Sequence, residues 1–139
     1  MIKYIYFRCF AHATEDIDKV RKAFKFITQK DNFKEREEKG YYGNKIIILE
    51  TKITKKNEVV EFWRRMKDYG IVDEILPMLD EIVDEQGMLY LRFDKQQAYL
   101  EKLALTIHGD SIAMHAKLES YPMKKGKAIS NFKKFVEEI

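Results

Sequence analysis

Apolar and polar residues alternate along two segments of this chain, and that alternation constrains the fold more than any other feature. In residues 2–11, Tyr4 and Tyr6 lie on the face opposite to the apolar residues. In residues 110–120 aliphatic side chains recur at every second position, and His115 falls on the other face. A period of two is typical of strands that are buried on one side. We therefore expect a sheet with one covered face and one open face.

The remaining segments complete an α+β pattern. Residues 45–53 are strongly β-branched and predict a second strand, and residues 88–93 predict a third. Between the strands, apolar residues at three- and four-residue spacing predict amphipathic helices. The predicted order is β-α-β-α-α-β-α-β-α, with a mostly antiparallel or mixed four-stranded sheet and helices packed on one face. Residues 28–42 show neither period and predict a long polar loop.

Side chains that can cap a helix mark where the helices are expected to begin. Thr14 and Thr54 each precede a predicted helix, and Asp94 directly follows the third strand. The helix after Asp94 is expected to extend to about Leu103. A last amphipathic helix is predicted over residues 128–139.

Length and composition exclude several classes of protein. The chain of 139 residues contains no Pro/Gly/Ser-rich linker, which predicts one domain over residues 1–139. Its longest aliphatic run, residues 46–49, is far shorter than the roughly 20 residues of a membrane-spanning helix. Neither a membrane span nor a secretion signal is predicted, so a cytoplasmic location is expected. The single cysteine, Cys9, predicts a buried structural thiol and permits no internal disulfide.

Charge is unevenly distributed along the chain. The formal net charge is +3, yet residues 70–87 contain six acidic residues and no Lys or Arg. Residues 117–139 contain six lysines against three glutamates. One side of such a protein can attract polyanions while another side repels them.

The open face of the predicted sheet combines aromatic rings with cations. Bases of single-stranded RNA stack on aromatic rings, and Arg and Lys pair with phosphates, so this combination predicts RNA binding. Exposed strands favour Tyr, Arg and Lys in any case, and the same face would also suit a protein partner or a homodimer. The candidate RNA-binding residues are Tyr4, Tyr6, Arg8, His12, Asn44, Lys52, Tyr90, Arg92, Lys95, Gln96, His115 and Lys117.

The segment Asp94-Lys95-Gln96-Gln97 allows two interpretations beyond the cap at Asp94. In one, Lys95 contacts a phosphate and Gln96 contacts a base edge or a ribose hydroxyl. In the other, Gln96 satisfies carbonyl groups of the turn at Gly43 and Asn44. The sequence leaves both open.

Signatures of catalysis are absent from the sequence. It contains no G-x-S-x-G, no phosphate-binding glycine loop and no H-E-x-x-H. The histidines are predicted to lie on different elements, and His12 is more typical of a turn anchor than of a general base. We predict no enzyme activity, no cofactor and no metal. The remaining alternative is a metal-dependent nuclease that uses Glu81 and Asp84, although a solvated helix face explains these carboxylates better.

Four blocks of sequence resemble an archaeal RNA-binding protein family that has been predicted to be exosome-associated. The blocks are "FAHATEDIDKV" (10–20), "YYGNKIIILE" (41–50), "LYLRFDKQQAYL" (89–100) and "HAKLESYP" (115–122). The resemblance implies a fold similar to that of the ribosomal protein that contacts five-S RNA. It also implies a non-catalytic accessory role in RNA processing or degradation, or in ribosome assembly, with RNA and exosome or ribosomal components as partners. Family members commonly have Gly-Asn-Pro at 43–45, where this chain has Lys45, and a glycine where it has Glu101.

Overall fold

The computed structural model of the protein describes residues 1–40 and 42–139. The strands are Ile2–His12 (β1), Lys34–Lys39 (β2), Lys45–Ile53 (β3), Met88–Phe93 (β4) and Ile112–Leu118 (β5). The helices are Ile17–Thr28 (α1), Lys56–Asp68 (α2), Ile71–Ile75 (α3), Leu79–Ile82 (α4), Lys95–Tyr99 (α5) and Lys125–Glu138 (α6). A short 3₁₀ helix, Leu76–Met78, connects α3 to α4. The predicted α+β class is confirmed.

Within residues 1–40 and 42–139, the sheet is antiparallel and has five strands, not the four that were predicted. Its strand order is β2-β3-β1-β5-β4. The additional strand, β2, lies inside the segment that was predicted as a loop, and it pairs with β3 from Lys34 opposite Glu50 to Lys39 opposite Lys45. All its side chains are exposed, so no apolar period marked it as a strand. Tyr41, near the end of the predicted loop, lies outside the described residues.

The residues of the chain form two compact units. The first unit comprises Met1–Tyr6, Lys52–Leu91 and His115–Ile139. The second unit comprises Phe7–Thr51 and Arg92–Met114. Four of the strands, β1, β3, β4 and β5, contribute residues to both units.

Aromatic side chains form the centre of the first unit's core. The Trp63 ring is fully buried on α2 and meets Phe62 and Phe132 edge-on, with ring centroids 5.3 and 4.9 Å away. Edge-on contacts suit aromatic pairs because the positive ring edge meets the negative ring face. Val59, Trp63 and Met66, which are spaced four and three residues apart on this helix, are all buried, as expected for an amphipathic helix.

The second unit buries the inner side of α1. Phe24 and Ile27 are fully buried, and the Phe24 ring meets Phe33 edge-on at 5.1 Å. Cys9 is a buried free thiol, as predicted. Burial raises the pKa of Cys9 to about 12, so this thiol stays protonated and unreactive at neutral pH.

The capping predictions had mixed outcomes. Asp94 caps α5 as expected, because its carboxylate accepts a hydrogen bond from the backbone N–H of Gln97. Thr14 does not cap α1; Asp16 does so instead by accepting from the N–H of Asp18. Helix α2 begins one residue later than Thr54 predicts, with Lys55 at the cap position.

The predicted ends of the last helices were less accurate. Helix α5 ends at Tyr99 instead of continuing to Leu103, and Glu101 then adopts a φ of 61°. Helix α6 begins at Lys125, three residues before the predicted start. None of the described helices has the length and apolar character that a membrane span requires.

Candidate nucleic-acid interface

The strand order brings together aromatic residues that are distant in the sequence. Strand β5 lies between β1 and β4, so His115 of β5 has tyrosines of both neighbouring strands beside it. These residues, Tyr4, Tyr6, Tyr90 and His115, are called the aromatic cluster below, and all of them belong to the first unit. Each of them was predicted as a candidate RNA-binding residue.

His115 is the centre of the aromatic cluster. Its ring stacks on that of Tyr6, with centroids 4.8 Å apart and an interplanar angle of 26°. It meets Tyr4 edge-on at 6.1 Å and Tyr90 edge-on at 6.0 Å. The Tyr90 side chain is 50% exposed, and the other rings are half-buried. The rings are therefore held in place by one another while retaining accessible surface.

Two candidate lysines of the first unit lie near the aromatic cluster, and they make different contacts. The Lys52 ammonium is 4.1 Å from the centroid of the Tyr4 ring, a cation–π contact. Lys117 follows His115 by two positions and donates a hydrogen bond to the backbone carbonyl of Gln86. Lys52 thus carries positive charge at the rings, whereas Lys117 anchors a neighbouring turn.

Asp84 connects this turn, residues 84–88, to the Tyr90 hydroxyl. The sequence did not suggest this role for Asp84. The Tyr90 hydroxyl donates to Asp84 Oδ2 at 3.2 Å, and Asp84 Oδ1 accepts from the N–H groups of Gln86 and Met88, both at 2.9 Å. Burial opposes ionisation of Asp84, but these hydrogen bonds outweigh it and lower its pKa. The carboxylate therefore serves the turn, whereas the nuclease hypothesis would require it to bind a metal.

The second unit contains the other candidate residues, and Lys95 is the best defined of them. Its side chain is only 8% exposed, and its ammonium donates to the carbonyl of Phe10 at 2.8 Å and to Glu15 and Asp110 at 3.0 Å each. Burial alone would lower the pKa of Lys95, but the two carboxylates raise it. An ammonium has three donors. All three are used within the protein, so phosphate binding by Lys95 would require these bonds to break.

His12 contacts Glu15 and Asp110, the two carboxylates that pair with Lys95. Its backbone N–H donates to Glu15 Oε1 at 3.0 Å, and its Nε2 is 3.4 Å from Asp110 Oδ1. Ligand atoms of His12, Glu15 and Asp110 lie within 4.8 Å of one another, a spacing that a metal ion could bridge. The Lys95 ammonium already supplies the positive charge between the two carboxylates.

The remaining candidates of the second unit lie at separate places. The Arg8 guanidinium packs over the Phe10 ring at 5.4 Å. Arg92 donates to the Gly109 carbonyl and to Ser111 Oγ, both at 3.3 Å. Asn44 is exposed, and its backbone carbonyl accepts a hydrogen bond from the backbone N–H of Gly40 at 2.6 Å. Gln96 lines a cavity between α1 and α5. The roles proposed for these residues on RNA stay predictions.

Comparison with known proteins points to one family. A family model described as RNA binding matches residues 4–118. The chain is 32% identical to RNA-binding protein PAB1135 of Pyrococcus abyssi, over 94% of this chain and 90% of that protein. The structure of Mth689, a DUF54 protein from Methanothermobacter thermautotrophicus, superposes with a TM-score of 0.83 at 30% identity, covering 98% of both chains. That of AF2318 from Archaeoglobus fulgidus does so with a TM-score of 0.85 at 34% identity, covering 97% and 99% of the two chains.

Proposed function

The chain belongs to the RNA-binding family, and we propose on that premise that it binds single-stranded RNA through the aromatic cluster. The observation that carries this proposal is the stack of Tyr6 on His115, flanked by Tyr4 and by the half-exposed Tyr90. Stacking on aromatic rings is the common means of binding unpaired bases, and it tolerates any sequence because every base has a π-face.

Duplex RNA fits this surface less well. In a helix the bases are already stacked on one another, so rings on the protein cannot reach their faces without unpairing them. Lys52, at 4.1 Å from the Tyr4 ring, supplies a cation next to the position of a stacked base. We expect it to pair with a phosphate of the same strand.

The proposed role is that of a non-catalytic accessory factor in RNA processing or degradation, or in ribosome assembly. The support for this setting is the resemblance to a family predicted to be exosome-associated. Co-purification of the tagged chain with exosome or ribosomal components would support it, and recovery of RNA alone would contradict it.

Fluorescence anisotropy of labelled single-stranded and duplex RNA, measured across a salt series, tests the proposal. We expect binding to single strands, with a log–log salt slope of about −0.7 for each phosphate neutralised. Equal affinity for duplex RNA, or no binding at low salt, would overturn it.

A homodimer formed through the aromatic cluster is the competing use of this surface. Light scattering after size-exclusion chromatography decides between RNA binding and dimer formation, because rings that are buried in a dimer cannot stack on bases. A stable dimer that persists in excess RNA would contradict the proposal.

A further inference from the structure

A cavity of about 390 Å³ lies between α1 and α5, within the second unit. Val20 and Ala23 line it from α1, and Tyr99 and Leu100 line it from the end of α5. Its lining is mainly apolar, and its volume falls in the range of pockets that bind small ligands. The cavity is thus large enough for one small molecule or one unit of a polymer.

The Tyr99 ring gives this cavity a flat wall with positive charge over its face. The ammonium groups of Lys22 and Lys19 lie 4.9 and 5.4 Å from the ring centroid. Gln96 also lines the cavity, and its amide offers both donors and an acceptor. A flat surface, two cations and an amide therefore occur together. Lys19 lines the cavity itself, Lys22 reaches it over the Tyr99 ring, and the exposed Asp16 is a further acidic residue of the lining.

An ion pair fixes the polar end of the cavity. Glu15 precedes α1 and Lys95 begins α5, and their side chains meet at 3.0 Å. This bond ties the two walls together, and it neutralises the Glu15 carboxylate that would otherwise repel an anion. The cavity is therefore already formed without a ligand.

We propose that this cavity binds one nucleotide, whose base displaces the two ammonium groups from the Tyr99 ring. Its base edge then meets Gln96, and the displaced Lys19 and Lys22 pair with its phosphate. An aliphatic ligand would leave the two ammonium groups unused, and inorganic phosphate would leave the apolar wall uncovered. The nucleotide is either free or one residue of an RNA chain. In the second case the inference rests on the proposed function and adds a base-binding pocket to it.

Titration of the full chain with each of the four nucleoside 5′-monophosphates, followed by calorimetry or amide NMR shifts, tests this inference. We expect saturable binding that Lys22→Gln and Gln96→Ala each weaken at least about tenfold, which is 1.4 kcal/mol. Tyr99→Leu should weaken it further. Inorganic phosphate alone should bind much more weakly than any nucleotide.

Two substitutions serve as matched controls. Tyr69 is exposed and lies 5.8 Å from the Arg65 guanidinium, so it has a similar cation–π contact but does not line this cavity. Lys25 is also on α1, where it pairs with Asp31 at 2.6 Å. Tyr69→Leu and Lys25→Gln should leave nucleotide binding unchanged.

The test of nucleotide binding in the cavity can fail independently of the test of RNA binding at the aromatic cluster. No saturable nucleotide binding, or equal binding by Lys22→Gln and Lys25→Gln, would overturn the inference even if single-stranded RNA binds the aromatic cluster. Nucleotide binding that short RNA displaces supports the cavity as the site of an RNA residue. Nucleotide binding that RNA does not displace supports a site for a free nucleotide.

Discussion

His115 and Tyr6 stack across neighbouring strands, with ring centroids 4.8 Å apart and planes inclined by 26°. Offset stacking of this kind stabilises an aromatic pair by about 0.5–1.5 kcal/mol beyond the burial of its area. The pair is therefore preorganised, and a base that stacks beside it orders few additional side chains. Preorganisation of this kind reduces the entropic cost of binding.

Tyr90 is the most exposed ring of the aromatic cluster, at 50%. Replacing it by leucine should weaken binding of single-stranded RNA by roughly 5- to 160-fold, because one stacked base contributes about 1–3 kcal/mol. Anisotropy at constant salt measures the change. Tyr69→Leu removes a tyrosine of similar exposure outside the cluster, and a loss of the same size there would contradict the prediction.

Lys52 should act through charge. Its ammonium lies over the Tyr4 ring, and Lys52→Gln should reduce the salt slope of RNA binding by about 0.7, the value for one phosphate on a single strand. The exposed Lys56 at the start of α2 provides the control, since Lys56→Gln should leave the slope unchanged. An identical slope in wild type and Lys52→Gln would show that Lys52 contacts no phosphate.

Asp84 should stabilise the protein in a pH-dependent manner. Its pKa is lowered in the folded state, so its contribution is complete above the unfolded pKa and is lost as the pH falls below about 4. Asp84→Ala should lower the free energy of unfolding by about 1–2 kcal/mol at pH 7, because backbone N–H groups lose a charged acceptor.

Urea denaturation of wild type and Asp84→Ala at several pH values checks this. The two proteins should converge in stability in acid. A difference that stays constant down to pH 3 would show that the charge of Asp84 is not what stabilises the turn.

Lys95 should be essential to the stability of the second unit. Lys95→Met leaves Glu15 and Asp110 facing each other without the ammonium, and we expect a loss of about 2 kcal/mol, below the range for fully buried pairs because both carboxylates are partly exposed. Adding Glu15→Gln should restore part of that loss, and thermal melts of the two variants measure it. Lys102→Met, at an exposed position, should have little effect.

Glu101 occupies a backbone conformation that favours glycine. Its φ is 61°, which lies in the left-handed region. Glu101→Gly should raise the free energy of unfolding by up to about 1 kcal/mol, because the left-handed conformation is strained for a residue with a Cβ. Lys102→Gly should not stabilise, and equal melting temperatures for wild type and Glu101→Gly would contradict the expectation.

The sequence predicted the elements that have an apolar period, but not the strand that lacks one. Strands β1 and β5 alternate in burial as their residues alternate in polarity, so both were predictable. Strand β2 consists of Lys, Glu and Arg throughout, and only its pairing with β3 makes it a strand. A pattern of polarity cannot reveal an element that buries no side chain.

The sequence also did not predict which residues are neighbours on adjacent strands of the sheet. Tyr4, Tyr6, Tyr90 and His115 were each predicted on an open face, but only the strand order shows that His115 lies between the others. Lys95 was predicted to be available to a phosphate. Its partners Glu15 and Asp110 lie 80 and 15 positions away in the chain, and no local signal connects them.

Strand β2 also has a consequence for self-association. It is the last strand at one side of the sheet, where backbone N–H and C=O groups are open to strands of other molecules. Its sequence, KEREEK, is charged at every position, and Arg36 is already paired with Glu50 of β3. A second molecule that added a strand here would have to desolvate this row of charges. The segment without an apolar pattern thus disfavours the addition of a further strand at this edge of the sheet.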